Sequence, residues 1–293
     1  MRVVRLRAAG GLEQLAVEEA DKPRPGPTEA LVRVHAAAIT RGELEWPVDR
    51  LPTIPSYELS GVVEEVGPGV ADVAEGDEVF ALTPFDRDGV AADYTALPAE
   101  LLVARPRALG HAESAAIPLP ALTAWQGLFD YGRLGADERV LIHGAAGGVG
   151  GFAVQLARSG GAHVIGTASA ANLGLVRELG AHETVDAATG LEDAVAPVDV
   201  VFDTTGGERL RRSPALLRAG GRLVSVAEDP PEGGVYFTVE PNPDQLCSIA
   251  RLVDRGELLP GPVEVFPLTS AREAFARSLE PGRRGTKVVL AVV

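Results

Sequence analysis

Residues 140–150 read Val-Leu-Ile-His-Gly-Ala-Ala-Gly-Gly-Val-Gly. An apolar strand runs straight into a glycine-rich turn. Residues 151–159 then continue as a helix with apolar Phe152, Val154 and Leu156. Glycine lets the backbone approach a charged group closely, and unpaired amides at a helix start attract negative charge. This strand–turn–helix succession is the context a dinucleotide-binding fingerprint requires. The residues expected at the pyrophosphate are Ala145, Gly147, Gly148, Val149 and Gly150.

Segments downstream repeat the alternation. Residues 163–169 form a strand candidate, 173–180 a helix and turn, and 183–185 a short strand. Residues 198–207 read as a buried strand ending in Asp203-Thr-Thr-Gly-Gly, which places Thr204 among the expected cofactor contacts. Residues 220–227 give one more strand. Short apolar strands alternating with helices describe a parallel sheet covered on both faces, an α/β doubly wound fold.

The end of the second strand bears on cofactor choice. A site for NAD places an acid about 20 residues past the glycine turn. Here residues 167–172 read Thr-Ala-Ser-Ala-Ala-Asn. The missing acid removes a repulsion against a 2′-phosphate, and Ser169 and Asn172 can donate to one. NADPH is therefore favoured over NADH. The preference is expected to be modest, because the segment holds no Arg or Lys.

A chain of 293 residues, 46% hydrophobic, supports one large or two ordinary domains. Its formal charge of −14 argues against nucleic acid or an anionic membrane as partner. Cys247 is the only cysteine, which excludes an internal disulfide and fits a cytoplasmic location. Residues 140–157 lack Asp, Glu, Lys and Arg, but their five glycines argue against a membrane span.

Residues 1 to about 110 read as β-rich, with strand candidates at 31–37, 60–67 and 77–82. Residues 112–131 turn helical. Beyond the βα units come helices at 245–255 and 271–279 and a closing strand at 287–293. The β-rich lobe is thus discontinuous: 1–113 with 248–293, around a dinucleotide-binding domain at 114–247.

Several motifs together carry a family resemblance. They are Ile-Pro-Ser-Tyr-Glu-Leu-Ser-Gly-Val-Val-Glu-Glu-Val-Gly at 54–67, Gly-Asp-Glu-Val-Phe at 76–80, Ala-Leu-Thr-Ala-Trp at 121–125, and the glycine turns at 145–150 and 203–207. With them the chain resembles the medium-chain dehydrogenase/reductase superfamily, in its zinc-independent quinone oxidoreductase and enoyl reductase branch. The resemblance implies a GroES-like β lobe, a Rossmann lobe, and hydride transfer from NADPH to a quinone, an enone or a related activated double bond. It also implies a homodimer paired through an edge strand at 235–240. Zinc members carry an early Cys and a Gly-His-Glu motif. Here those places hold Thr40 and Ser56-Tyr57-Glu58, so no metal is expected. Glu58 is expected to pair with an arginine.

The resemblance points to Tyr57, Thr40 and Thr123 as hydrogen-bond donors to a small-molecule substrate, with Tyr57 beside the nicotinamide. Trp46, Phe85, Trp125 and Phe237 are expected as the apolar wall. Thr40 stands where the family has Asn and Glu43 where it has Asp, and a usual Tyr is missing. These departures in residues 40–57 leave a second reading, a non-redox cyclase or nucleotide-binding protein on the same scaffold.

Overall fold

The structure, a computed structural model, describes residues 1–46, 50–189, 195–231, 233–282 and 284–293. Residues 47–49, inside the segment that departs from the family pattern, lie outside these. The chain divides into two compact units. One comprises Met1–Leu119, Glu240–Arg255 and Pro262–Val293, the other Pro120–Val239 and Gly256–Gly261.

The first unit opens with β1 (Arg2–Leu6) and β2 (Leu15–Glu19), an antiparallel pair. Strands β3 (Glu29–Ile39), β4 (Glu58–Val66), β5 (Glu78–Leu82), β6 (Tyr94–Pro98) and β7 (Val103–Ala104) follow, then helix α1 (His111–Ala115). Valine and alanine alternate inward along β3, and Val3, Val32, Val34, Leu59 and Leu97 belong to one buried core. β-branched residues on a half-buried pleat favour this geometry.

Helix α2 (Pro118–Trp125) leads into the second unit and passes into a π-helical turn, Gln126–Tyr131. A side chain on Gly127 would collide with the Phe202 ring at 2.4 Å, so this turn packs tightly on the sheet behind it. The sheet is built from β8 (Arg139–His143), α3 (Gly148–Ser159), β9 (His163–Ala168), α4 (Leu173–Glu178), β10 (Glu183–Asp186), β11 (Val198–Asp203), α5 (Gly207–Arg212), β12 (Leu217–Ser225) and β13 (Val235–Tyr236). All six strands are parallel, in the order β10-β9-β8-β11-β12-β13. The crossovers carry the chain outward from β8 in one direction and from β11 in the other. The strand order therefore reverses between β8 and β11, where doubly wound sheets bind ligands beyond their C-terminal edge.

The chain then returns to the first unit. Helix α6 (Pro243–Asp254) is capped by Asn242, whose side chain accepts from the Gln245 amide. β14 (Val263–Pro267), α7 (Ala271–Leu279) and β15 (Lys287–Ala291) complete the fold. Strand β15 inserts between β14 and β3, in a seven-stranded sheet whose main path is β14-β15-β3-β4-β5-β7, with β6 paired to β3 off that path.

Two expectations change. The junction expected at 247/248 falls inside α6, which is anchored to the first unit through Asp254 and the Ala108 amide at 3.1 Å. One amphipathic helix packs as one body, so the crossing lies at 239/240 instead. The edge strand expected over 235–240 is only Val235–Tyr236 long. Among the described residues no helix is long and apolar enough to cross a membrane.

Candidate active site

In the second unit the C-terminal ends of β8, β9 and β11 share one edge of the parallel sheet. Gly144 leaves β8 with φ of +73°, and a side chain there would lie 2.5 Å from Thr204 Oγ1. Thr204 in turn donates to the His143 carbonyl at 2.8 Å, which ties the turn after β11 to the end of β8. Gly150 packs so closely on Gly144 that an added Cβ would sit 2.1 Å from its carbonyl oxygen. At Gly148, by contrast, an added Cβ meets nothing within 4 Å. The turn is thus tight underneath and open above.

Its amides divide likewise. Ala145 donates to Thr167 at 2.9 Å and Gly147 to Gly144 at 2.8 Å, so both shape the turn. The first helical bond runs from the Gly151 amide to the Gly147 carbonyl. The amides of Gly148, Val149 and Gly150 stand ahead of that ladder, the disposition that receives a pyrophosphate. At the end of β9, Ser169 Oγ accepts from the Asn172 side chain at 3.1 Å and keeps its own O–H for a ligand. A dinucleotide cofactor would fit this cradle, with the Gly148 to Gly150 amides toward its pyrophosphate and Ser169, Asn172 and Thr204 at the neighbouring strand ends.

Beneath the cradle lies a polar cluster that the sequence did not reveal. His143 is fully buried on β8. Ser213 gives its hydrogen to the Arg209 carbonyl at 2.8 Å, so toward His143 Nε2, at 3.1 Å, it accepts. Nε2 therefore carries the ring proton, and Nδ1 accepts from Thr167 at 3.2 Å. Burial pushes this imidazole down to about 4, with Asp203 opposing and Arg209 adding to the fall. Asp203, also fully buried, accepts from Thr205, the Gly206 amide and Ser225. These bonds fix the turn that presents Thr204.

In the first unit Glu58, fully buried, opens β4. Its Oε1 lies 2.5 Å from Lys287 Nζ and accepts from Thr40 at 3.2 Å; its Oε2 accepts from the Leu119 amide at 2.9 Å. Lys287 also donates to Thr40 Oγ1 at 3.1 Å. The expected arginine partner of Glu58 is thus a lysine, delivered by the last strand. Sequence reasoning missed it, although the need of a buried carboxylate for a cation is the signal that finds it. A zinc ion does not fit this donor set. The Thr40 hydroxyl and the Tyr57 phenol are not the thiolate or imidazole donors that zinc takes, and the Glu58 lone pairs already face an ammonium. Among the described residues no group of three or more His, Cys, Asp or Glu side chains is placed to hold a metal.

Glu43 braces the same region. One carboxyl oxygen accepts from the Thr40 amide and the other from the Ser56 amide, each at 3.0 Å. Burial pushes this carboxyl up to about 8, against the Thr40 and Ser56 amides and Lys287, with Glu58 adding to the rise. Ser56 itself has φ of +66°, a left-handed backbone that costs a non-glycine residue roughly 1 kcal/mol or more. Held there, it turns Tyr57 into an aromatic cluster. Trp46 stacks on Tyr57 with centroids 6.0 Å apart, and Phe85 meets both rings edge-on at 5.3 and 5.1 Å. Burial first, then the Glu43 carboxyl, raises the Tyr57 phenol above its ordinary range, so it stays a protonated donor.

The structure thus gathers Thr40, Trp46, Tyr57 and Phe85 in the first unit. The other three expected residues belong to the second. Thr123 is buried on α2; Trp125 meets Phe129 edge-on at 5.4 Å; Phe237 stacks on Tyr131 at 4.4 Å.

The alcohol dehydrogenase GroES-like domain family matches residues 26–107, and the zinc-binding dehydrogenase family matches residues 148–247. An NADPH-dependent alkenal/one oxidoreductase of Arabidopsis thaliana is 33% identical over 96% of this chain and 77% of its own length. The chain belongs to the medium-chain dehydrogenase/reductase superfamily. Within it, this medium-chain dehydrogenase/reductase falls in the quinone oxidoreductase-like branch. A quinone-oxidoreductase homolog of Spinacia oleracea is 37% identical over 92% of this chain and 77% of its own length. The structure of the quinone oxidoreductase from Coxiella burnetii superposes with a TM-score of 0.91 at 27% identity, covering 100% of this chain and 99% of that one. The β-rich lobe is accordingly GroES-like and the parallel sheet Rossmann-like.

Proposed function

We propose that this chain is a zinc-free, NADPH-dependent reductase acting on the activated double bond of an enone or on a quinone. The observation that carries the reading is the Lys287–Glu58–Thr40 arrangement beside Tyr57. Where zinc relatives place metal ligands, this chain holds hydrogen-bond donors and a balanced charge pair. The relatives named for alkenal/one and quinone reduction support the substrate class.

NADPH, when bound, supplies the hydride. The residues of the chain hold, orient and stabilise. A substrate carbonyl oxygen gains negative charge as hydride reaches the conjugated carbon, and preorganised donors lower the cost of that charge. The Tyr57 hydroxyl is one such donor. Lys287 has three N–H groups, two of them spent on Glu58 and Thr40, and its positive charge favours an oxyanion nearby. The Thr40 hydrogen lies on Glu58, so Thr40 donates to substrate only by releasing that bond. Trp46 and Phe85 provide a half-buried aromatic wall for a planar conjugated acceptor.

A homodimer belongs to the same proposal. Val235 and Tyr236 on the edge strand β13 are 41% and 46% exposed, and pairing two sheets would cover them. So does a cytoplasmic location, which the single cysteine supports. Purified protein should oxidise NADPH with simple enones or quinones, unaffected by chelator, and sediment as a dimer. Cofactor binding without any turnover across such acceptors would overturn the reductase reading in favour of a non-redox role. Activity lost to chelator would overturn its zinc-free part, and a monomeric mass at micromolar concentration its dimeric part.

A further inference from the structure

A phosphomonoester carries about −1.5 to −2 charges at neutral pH and favours a guanidinium fork. The end of β9 provides none, since residues 167–172 contain no Arg or Lys. The fold brings one from elsewhere. Strand β10 runs parallel to β9 with Asp186 opposite Ala168, and the Ala187 amide donates to the Ala168 carbonyl at 2.8 Å. Ala187 thus lies beside the point where β9 gives way to Ser169.

Arg209, in the first turn of α5, reaches this same residue. Its Nε and Nη2 both donate to the Ala187 carbonyl, at 3.4 and 3.2 Å. A guanidinium has five N–H groups, so three are left over. Among the described residues no carboxylate takes them. The neighbouring Arg211, by contrast, pairs with Glu208 at 3.1 Å and Glu228 at 3.8 Å. The acid nearest in sequence to Ala187, Asp186, has Oδ1 occupied by the Ala188 amide at 3.0 Å. In a chain of net charge −14, a half-buried arginine whose guanidinium is held, among the described residues, by a backbone carbonyl alone stands ready for an anion.

We propose that Arg209 receives the 2′-phosphate of NADPH and sets the preference for NADPH over NADH. The proposal rests on the cofactor reading above. It replaces the modest preference expected from the β9 segment with one built from α5. The Ala187 carbonyl fixes the fork before the cofactor arrives, and the Ser169 hydroxyl is a second donor from the neighbouring strand end.

The test is calorimetric titration of NADPH, NADH and adenosine 2′,5′-bisphosphate into the wild type, Arg209→Gln and Arg209→Met. Charged hydrogen bonds of this kind correspond to roughly 10- to 100-fold in affinity. Both variants should weaken NADPH and the bisphosphate by about that factor, with NADH within twofold of the wild type. The methionine variant keeps the packing of the stem, and NADH binding certifies the fold of either protein. Equal weakening of NADPH and NADH, or no change in either, overturns the role of Arg209. Wild-type protein that binds neither nucleotide overturns the cofactor reading itself.

Discussion

Tyr57 shows how much one side chain depends on its neighbours. Its hydroxyl is useful only if the ring is held, and the ring is held because Glu43 secures Ser56 in a left-handed backbone while Trp46 and Phe85 enclose it. Tyr57→Phe keeps the ring and removes the donor. Removing one aligned oxyanion donor typically costs about 10²–10³ in rate. The variant should therefore lose turnover on that scale with the NADPH dissociation constant unchanged; an undiminished kcat would reduce Tyr57 to packing. The sequence drew attention to Thr40, Tyr57 and Glu58 because the resemblance sets them where zinc members of the superfamily keep metal ligands. It concealed Lys287 as the partner of Glu58, because the two lie 229 residues apart in the chain and meet only through tertiary structure; Glu43 stood out in the sequence, but its bond to the Ser56 amide did not. Trp125 and Phe237 were legible as aromatic, but not as partners of Phe129 and Tyr131.

The strand–turn–helix formed by β8, the glycine turn and α3 separates two uses of glycine. Gly150 is needed by the protein, since a Cβ would strike the Gly144 carbonyl oxygen at 2.1 Å. Gly148 is not needed for packing, since a Cβ there meets nothing within 4 Å. Gly150→Ala should lower stability by about 1–3 kcal/mol in denaturant unfolding, the usual cost of overpacking. Gly148→Leu should unfold at the same denaturant concentration as the wild type and yet fail to bind NADPH. Unchanged NADPH affinity in Gly148→Leu would remove the pyrophosphate from this turn. Local sequence made this element plain, because glycine spacing and the change of period from strand to helix are short-range signals. Strands β2, β6, β7 and β14 escaped. They are short, half-exposed or interrupted by Pro and Glu, and only pairing with distant strands makes them strands.

At the scale of the whole molecule, the buried His143 links folding to acidity. Its folded-state imidazole titrates at about 4, below the ordinary value of 6.5. A depressed histidine is neutral in the fold, so the unfolded chain takes up the proton first. Its contribution is present above about pH 6.5 and is lost as the pH falls toward about 4. Between pH 7 and pH 5 this one group should cost about 2 kcal/mol of unfolding free energy. His111, which burial, then His35 and Arg105, push down to about 4, acts with the same sign. His143→Gln should flatten that part of the profile in denaturant titrations at the two pH values; an equally steep loss would assign the acid sensitivity elsewhere. The division into a β-rich lobe and a dinucleotide lobe was legible from the order of the segments. The crossing at 239/240 was not, because it depends on which body α6 packs against. The same topology governs how the molecule is made. The six strands of the parallel sheet lie together between Arg139 and Tyr236, so this lobe can close while the ribosome is still at work. The β-rich lobe must wait: β15 belongs next to β3, which is translated long before it. Until residues 287–291 emerge from the exit tunnel, the nascent chain carries an open edge at residues 36–39 of β3 and a Glu58 carboxylate without its Lys287 counter-ion.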